Sequence, residues 1–231
     1  MRKLVLFDID GTLLWTDGAG RRAITEALLV EMGTAGPIDG YHFGGKTDPQ
    51  IVRELMTAAG HPHAESPVHL QAVCARYVGL LARELEAHAE AVRVYEGVPE
   101  LLDAIEARGD GLLGLLTGNL AAGADLKLRA AGLDPARFRV GAFGSDAADR
   151  PDLPPIAVRR AAALFGREAA GQDVVIIGDT PADMTCGRAV GARAIGVATG
   201  SYSREQLMEA GGYRAFASLR DVKAVLDAIY A

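Results

Sequence analysis

The sequence has few cysteines, no excess of positive charge and no long apolar run. Its 2 cysteines, Cys74 and Cys186, lie far apart, which argues against a disulfide framework and favours a reducing compartment. Near the N-terminus, Arg2 and Lys3 are followed by only a short apolar stretch before Asp8 interrupts it, too few residues for a signal peptide or a membrane span. We therefore expect a cytoplasmic protein with no membrane partner.

The charge balance excludes a further class of partner. The formal net charge is -6 and the pI is about 5.4, whereas a nucleic-acid-binding surface normally needs a basic excess. The 231 residues are 49% hydrophobic and 23% charged, which is ordinary for a folded chain with one sizeable core and a smaller second unit. We expect no nucleic-acid partner.

Short apolar runs alternate with helical stretches along the chain. The runs at residues 4–7, 112–116, 173–177 and 193–198 are typical of buried parallel strands, and the segments at 97–108, 121–131, 153–165 and 181–190 have the composition of helices. This alternation predicts an α/β fold with a Rossmann-like parallel sheet, whose functional groups lie at the carboxyl ends of the strands.

The segment from residue 18 to residue 90 contains no convincing strand. Apolar residues recur there at three- and four-residue steps between 66 and 89, and 20–31 and 48–59 also have helical patterns. We predict a helical domain at 17–91, inserted into a sheet domain formed by 1–16 and 92–231. An insertion directly after the first strand would lie above its end, where it can close like a lid.

Carboxylates follow two of the predicted strands. Asp8 and Asp10 end the first apolar run, and Asp179 and Asp183 follow the run at 173–177. Acids crowded at one sheet edge repel each other and resist burial unless a cation compensates them. A hard cation such as Mg²⁺, which prefers about six oxygen ligands, fits such a set. Capping of the helix that begins near Pro181 explains one of these acids but not all four.

Four motifs share this pattern: Asp8-Ile9-Asp10-Gly11-Thr12, Thr117-Gly118-Asn119, the region around Arg150-Pro151, and Gly178-Asp179-Thr180-Pro181-Ala182-Asp183. Their order and spacing resemble the haloacid dehalogenase superfamily, and in particular its phosphoglycolate phosphatase-like members with a helical cap between the first two motifs. The resemblance covers nearly the whole chain. It implies a magnesium-dependent phosphatase that acts on a small phosphorylated metabolite.

The resemblance also implies roles for the acids. The metal ligands would be Asp8, the backbone carbonyl of Asp10, Asp179 and, directly or through water, Asp183. Asp8 would attack phosphorus and form an aspartyl-phosphate, which water then hydrolyses. Asp10 would first donate a proton to the leaving oxygen and later deprotonate the attacking water.

The second and third motifs are less specific. Thr117, Gly118 and Asn119 follow an apolar run and precede a helix, so the hydroxyl and the backbone N–H groups can hold phosphate oxygens. The alternative is an ordinary strand-to-helix turn with Asn119 as N-cap. Most relatives place a lysine in the third motif, whereas this chain offers Arg150, which we expect to supply the positive charge. The alternative for Arg150 is a surface arginine in a proline-rich loop.

Residues 44–50 of the insertion, GGKTDPQ, resemble the substrate-facing cap segment of phosphoglycolate phosphatase-like members. Thr47 and Gln50 have the spacing of a capping box, which needs no ligand. The capping box does not account for Lys46, and we predict that this lysine contacts an anionic part of the substrate. His61 and His63 have no further partners in the sequence, and we expect exposed histidines and no metal pair.

Other functions share parts of this pattern. A dinucleotide-binding oxidoreductase would need G-x-G-x-x-G after its first strand, where this chain has acids. A phosphorylation-dependent signalling receiver would carry its acceptor aspartate after an internal strand and lacks an inserted domain.

Within the resembled family, a phosphosugar mutase keeps the same motifs. Phosphonate hydrolysis also stays open, since that chemistry recruits a cap lysine in the family and this chain has Lys46. A haloacid dehalogenase proper typically lacks the second aspartate, so Asp10 favours phosphorus chemistry. The sequence indicates no oligomeric state.

Overall fold

The computed structural model describes residues 2–231. Its main feature is a six-stranded sheet in the order β5-β4-β1-β6-β7-β8, in which every neighbouring pair is parallel. The strands are β1 (Lys3–Phe7), β4 (Gly111–Leu116), β5 (Val140–Ala142), β6 (Val174–Gly178), β7 (Arg193–Val197) and β8 (Arg214–Phe216). The predicted α/β fold with a parallel sheet is confirmed.

Helices cover both faces of this sheet. They are α4 (Val98–Arg108), α5 (Ala121–Ala130), α6 (Leu153–Phe165), α7 (Pro181–Cys186), α8 (Arg204–Glu209) and α9 (Val222–Tyr230). In β1, Val5 and Phe7 pack into one apolar cluster and Leu4 and Leu6 into another on the opposite face. Because both faces of β1 are buried, its side chains form a continuous apolar run rather than an alternating one.

The helical insertion, as we call α1 to α3, lies between β1 and β4 in the chain. Its helices are α1 (Ala19–Met32), α2 (Asp48–Ala58) and α3 (Pro67–Ala87), and they share an apolar cluster separate from those of the sheet. The chain enters through β2 (Leu14–Trp15) and returns through β3 (Arg93–Val94), which pair antiparallel. The predicted domain limits at 17 and 91 lie within a few residues of this pair and stay a prediction.

Short elements were harder to predict than long ones. The strands β5 and β8 have only 3 residues each, and the sequence pattern indicated neither. The last predicted helix, 181–190, is an α-helix only to Cys186 and continues to Val190 as a 3-10 helix. None of the helices within residues 2–231 combines the length and the hydropathy that a membrane span requires.

Candidate active site

Three neighbouring strands bring the first, second and fourth motifs together. Phe7 of β1 is in register with Leu115 of β4 and Ile177 of β6, so these strands end at the same sheet edge. The backbone N–H of Asp8 donates to the carbonyl of Ile177 over 2.9 Å, which extends the ladder by one residue. Asp8, Thr117 and Asp179 therefore emerge side by side, although they are far apart in sequence.

Three buried acids form a cluster at this edge. Asp8, Asp179 and Asp183 each offer a carboxylate oxygen, and these oxygens all lie within 4.8 Å of one another. Oδ2 of Asp183 accepts from the backbone N–H and from the hydroxyl of Thr180, over 3.0 and 2.6 Å, as the N3 residue of a capping box. Thr12 donates its hydroxyl to Oδ1 of Asp179 over 3.1 Å. The capping interaction thus fixes Asp183 and leaves its second oxygen directed at the cluster.

Arg150 lies inside this cluster. Its Nη2 atom is 3.2 Å from Oδ1 of Asp8, contacts Oδ1 of Asp183, and donates to the carbonyl of Leu116 over 3.2 Å. The side chain is only 4% exposed, which excludes the alternative of a surface arginine. The single cation compensates part of the charge of three carboxylates.

Burial and the remaining negative charge raise the pKa values of two of these acids. Burial, together with the neighbouring charges of Asp183 and Asp10, raises the pKa of Asp8 to about 6 although Arg150 opposes the shift. Burial and the charges of Asp8 and Asp183 raise the pKa of Asp179 well above its usual range. An added cation would relieve this repulsion.

The second motif forms a polar turn beside Asp8. The hydroxyl oxygen of Thr117 accepts from the backbone N–H of Asn119 over 3.3 Å and from its side-chain amide over 2.8 Å. That amide also donates to Oδ2 of Asp10 over 2.8 Å, so both of its N–H groups are engaged within the protein. The N-cap of α5 is Leu120, which excludes the alternative role of Asn119 as N-cap.

Lys127, which belongs to none of the four sequence motifs, reaches the same turn. Its ammonium lies 2.6 Å from Oδ2 of Asp10 and 2.6 Å from Oδ1 of Asn119. The signal for this residue was present in the pattern of α5, where Lys127 shares the buried helix face with Gly123, Ala124 and Leu128. A lysine on an apolar face requires a partner for its charge.

The helical insertion lies directly on the second motif. The backbone N–H of Asp48 donates to the carbonyl of Gly118 over 2.8 Å, and Leu120 donates its N–H to Oδ2 of Asp48 over 2.8 Å. A Cβ at position 118 would overlap with the carbonyl of Lys46. Gly118 thus permits close approach as expected, and the group that approaches it is the backbone of the insertion.

Lys46 faces the space between the helical insertion and the sheet edge, but its ammonium is already paired within the protein. Its ammonium lies 2.5 Å from Oε2 of Glu54 and 2.9 Å from the hydroxyl of Tyr41. Although burial opposes the shift, these hydrogen bonds raise the pKa of Lys46. The predicted capping box of Thr47 and Gln50 is confirmed. The predicted contact of Lys46 with substrate stays a prediction.

A cavity of about 280 Å³ lies between the helical insertion and the sheet edge. It is large enough for a small metabolite, and both parts of the chain contribute to its wall. The wall includes Asp8, Asp10, Thr117, Gly118, Asn119, Lys127, Arg150 and Asp179 from the sheet part, and Phe43, Lys46, Asp48, Ile51 and Tyr77 from the insertion. Asp183 lies beneath this wall, fully buried.

The two histidines singled out in the sequence lie outside this cavity. His63 is exposed and stacks on His69, with ring centroids 4.0 Å apart. His61 is half-buried, and neither residue belongs to the group of potential metal ligands found among residues 2–231.

The parallel sheet, the helical insertion and the acidic cluster at the strand ends are typical of α/β proteins that bind their ligands at the carboxyl edge of the sheet. The family model for haloacid dehalogenase-like hydrolases matches residues 5–188. The chain therefore belongs to that family, as its motifs predicted. No curated protein matches the chain.

Solved structures share the fold over nearly the full length. A hydrolase from Pseudomonas syringae is 21% identical with a TM-score of 0.75, and the match covers 99% of each chain. CbbY from Rhodobacter sphaeroides, solved with phosphate, is 24% identical with a TM-score of 0.70, and the match covers 98% of this chain and 100% of that one. A protein described as a predicted phosphoglycolate phosphatase from Haemophilus somnus is 18% identical with a TM-score of 0.67, and the match covers 97% and 98%.

Proposed function

We propose that the protein is a cytoplasmic, Mg²⁺-dependent phosphatase that hydrolyses a small phosphomonoester through an aspartyl-phosphate on Asp8. The observation that carries this proposal is the buried cluster of Asp8, Asp179 and Asp183 around one arginine, at the floor of a cavity sized for a metabolite. The proposed partner is the phosphorylated small molecule, with no nucleic acid or membrane involved.

The donor set fits Mg²⁺. The carboxylate oxygens span at most 4.8 Å, and opposite ligands of an octahedral Mg²⁺ lie about 4 Å apart, so small side-chain rotations bring them into range. Asp8, Asp179, the backbone carbonyl of Asp10 and, directly or through water, Asp183 would hold the ion. When bound, the ion neutralises charge on the acids and on the transferring phosphoryl group.

The chain's own residues supply the covalent chemistry. A carboxylate oxygen of Asp8 forms a bond to phosphorus as the bond from phosphorus to the leaving oxygen breaks, and Asp10 delivers its proton to that oxygen. Asp10 then takes a proton from water as the water oxygen bonds to phosphorus and the Asp8–phosphorus bond breaks. The products are inorganic phosphate and an alcohol, and Asp10 has regained its proton.

The second motif can hold the phosphoryl oxygens. The Thr117 hydroxyl oxygen accepts two hydrogen bonds from Asn119, so its own proton remains available for a ligand. Within residues 2–231, the backbone N–H of Gly118 donates to no protein acceptor. Arg150 completes the positive side of the pocket and would take the role of the third-motif lysine that the resemblance implies for most relatives.

The proposal is tested by phosphate release from a panel of phosphorylated metabolites, including 2-phosphoglycolate and hexose phosphates, with Mg²⁺ and with a chelator. We expect release only with Mg²⁺, none from Asp8→Asn, and an early block in Asp10→Asn. Asp227→Asn, an exposed change on α9, is the matched control and should leave the rate unchanged. Near-normal phosphate release by Asp8→Asn would refute the assignment of Asp8 as the nucleophile. Isomerised sugar phosphate without free phosphate would indicate a mutase instead.

A further inference from the structure

Lys127 is a buried cation that the proposed chemistry leaves without a role. Its side chain is only 5% exposed, and its ammonium contacts Oδ2 of Asp10 and Oδ1 of Asn119, both over 2.6 Å. A Cβ added to Gly20, at the start of α1, would lie 3.5 Å from this ammonium. The helical insertion therefore covers Lys127, whereas the side chain of Asp10 is 43% exposed and faces the cavity.

Two donors converge on a single oxygen of Asp10. Besides the ammonium of Lys127, the side-chain amide of Asn119 donates to the same Oδ2 atom over 2.8 Å. Neither an ammonium nor an amide NH₂ group can accept a hydrogen bond. A proton carried by Asp10 must therefore reside on Oδ1, which accepts from no donor among residues 2–231 while its carboxyl group lines the cavity.

We propose that Lys127 is a positioning residue, which with Asn119 fixes Oδ2 of Asp10 and so presents the proton-bearing Oδ1 to the leaving oxygen. This inference rests on the proposed phosphatase function. In the first step the proton moves from Oδ1 of Asp10 to the leaving oxygen as its bond to phosphorus breaks. The carboxylate that results is then stabilised by the adjacent ammonium, which is already in place and needs no reorganisation.

The test compares two esters that differ in their need for a proton. The p-nitrophenolate ion leaves without protonation, whereas an alkoxide must be protonated as it leaves. In Lys127→Met we expect kcat for the best alkyl phosphate of the metabolite panel to fall about 100-fold. We expect kcat for p-nitrophenyl phosphate to change less than about threefold, with KM nearly constant for both esters.

The matched control is Lys223→Met, which removes an exposed lysine from α9 and should leave both rates unchanged. A merely structural role of Lys127 would lower both rates equally, so an equal loss overturns the inference. If Lys127→Met does not fold, as judged by its melting transition, Lys127→Gln and Lys127→Arg carry the same comparison. Failure of all three to fold shows a purely structural lysine and also overturns the inference.

The two esters also distinguish a failure of the proposed phosphatase function from a failure of the role of Lys127. A wild-type enzyme that releases phosphate from neither ester refutes the phosphatase and, with it, the role of Lys127. A wild-type enzyme that cleaves both esters while Lys127→Met loses both equally keeps the phosphatase and refutes only Lys127. A wild-type enzyme that cleaves the aryl ester alone gives Asp10 no leaving group to protonate, and it also refutes this inference.

Discussion

The Nη2 atom of Arg150 lies 3.2 Å from Oδ1 of Asp8, and both side chains are buried at the floor of the cavity. The same nitrogen contacts Asp183, so one guanidinium bridges the proposed nucleophile and a proposed metal ligand. Asp8 thereby has a cation beside it before any ligand binds. Removing Arg150 should therefore affect both catalysis and folding stability.

We predict that Arg150→Met lowers kcat for phosphate release by a factor of about 100 to 1000, because a charged donor to the transferring group is lost. The change also leaves buried carboxylates without their cation, which costs about 3–5 kcal/mol of folding free energy. Steady-state kinetics and thermal melting measure the two effects. Arg159→Met, an exposed change on α6, is the control. If Arg150→Met folds and its kinetics are unaltered, Arg150 is not the charged donor to the transferring group.

A second prediction concerns Mg²⁺ and the stability of Asp179→Asn. In a chelator the variant should melt above the wild type, because one of three mutually repelling buried charges has been removed. With Mg²⁺ at about 100 times its dissociation constant, the wild type should gain about 3 kcal/mol, or several degrees, and the variant little. Differential scanning calorimetry with and without Mg²⁺ decides this, and Asp227→Asn should retain the full gain. An equal gain in Asp179→Asn would exclude Asp179 as a ligand.

The sequence predicted the sheet and the acidic edge because both depend on local pattern. A continuous apolar run ending in an acid, as at Asp8 and Asp179, indicates a buried parallel strand and its functional end, and the structure agrees. The third motif was harder, since Arg150 lies in a loop whose sequence is equally compatible with the surface. Its burial follows from contacts with Asp8 and Asp183, more than 30 residues away in either direction.

The contacts between the insertion and the sheet part had no sequence signal of their own. Asp48 accepts a hydrogen bond from the backbone N–H of Leu120. This contact depends on how the insertion packs against the sheet part, and no periodicity in the sequence predicts it. Lys127 was visible as a lysine on a buried helix face, but its partners Asp10 and Asn119 emerge only from the fold. The sequence thus indicated the acidic cluster more completely than the residues that line the rest of the cavity.

We predict that Gly118→Ala opens the helical insertion relative to the sheet part. The new Cβ would overlap with the backbone carbonyl of Lys46, and a backbone group cannot rotate away as a flexible side chain can. With the insertion displaced, KM should rise and kcat fall for the best substrate, while folding is retained. Gly79→Ala is the matched control, because nothing lies within 4 Å of a Cβ in that exposed turn of α3. It should raise stability by about 0.5–1 kcal/mol. Normal kinetics in Gly118→Ala would show that the close approach is dispensable.

The last prediction concerns the pH dependence of folding and the buried carboxyl group of Asp48. Burial raises its pKa from 3.8 to about 6, although Lys127 and the N–H of Leu120 oppose the shift. Because the folded state holds this proton more tightly than the unfolded state, the stabilising contribution is complete below about pH 4 and is lost as pH rises through 6.

Asp48→Asn lacks this titration but keeps an oxygen that can accept from Leu120. The stability of the variant relative to wild type should therefore grow from pH 4 to pH 7, by at most about 3 kcal/mol. Thermal melting in chelator at several pH values measures this difference. Asp8 and Asp179 have raised pKa values in both proteins, so their contributions cancel in the comparison. A difference that stays constant across this range would mean that Asp48 ionises in the folded protein as it does in the unfolded chain. In that case the contact between the insertion and α5 would not impose the cost of a buried charge.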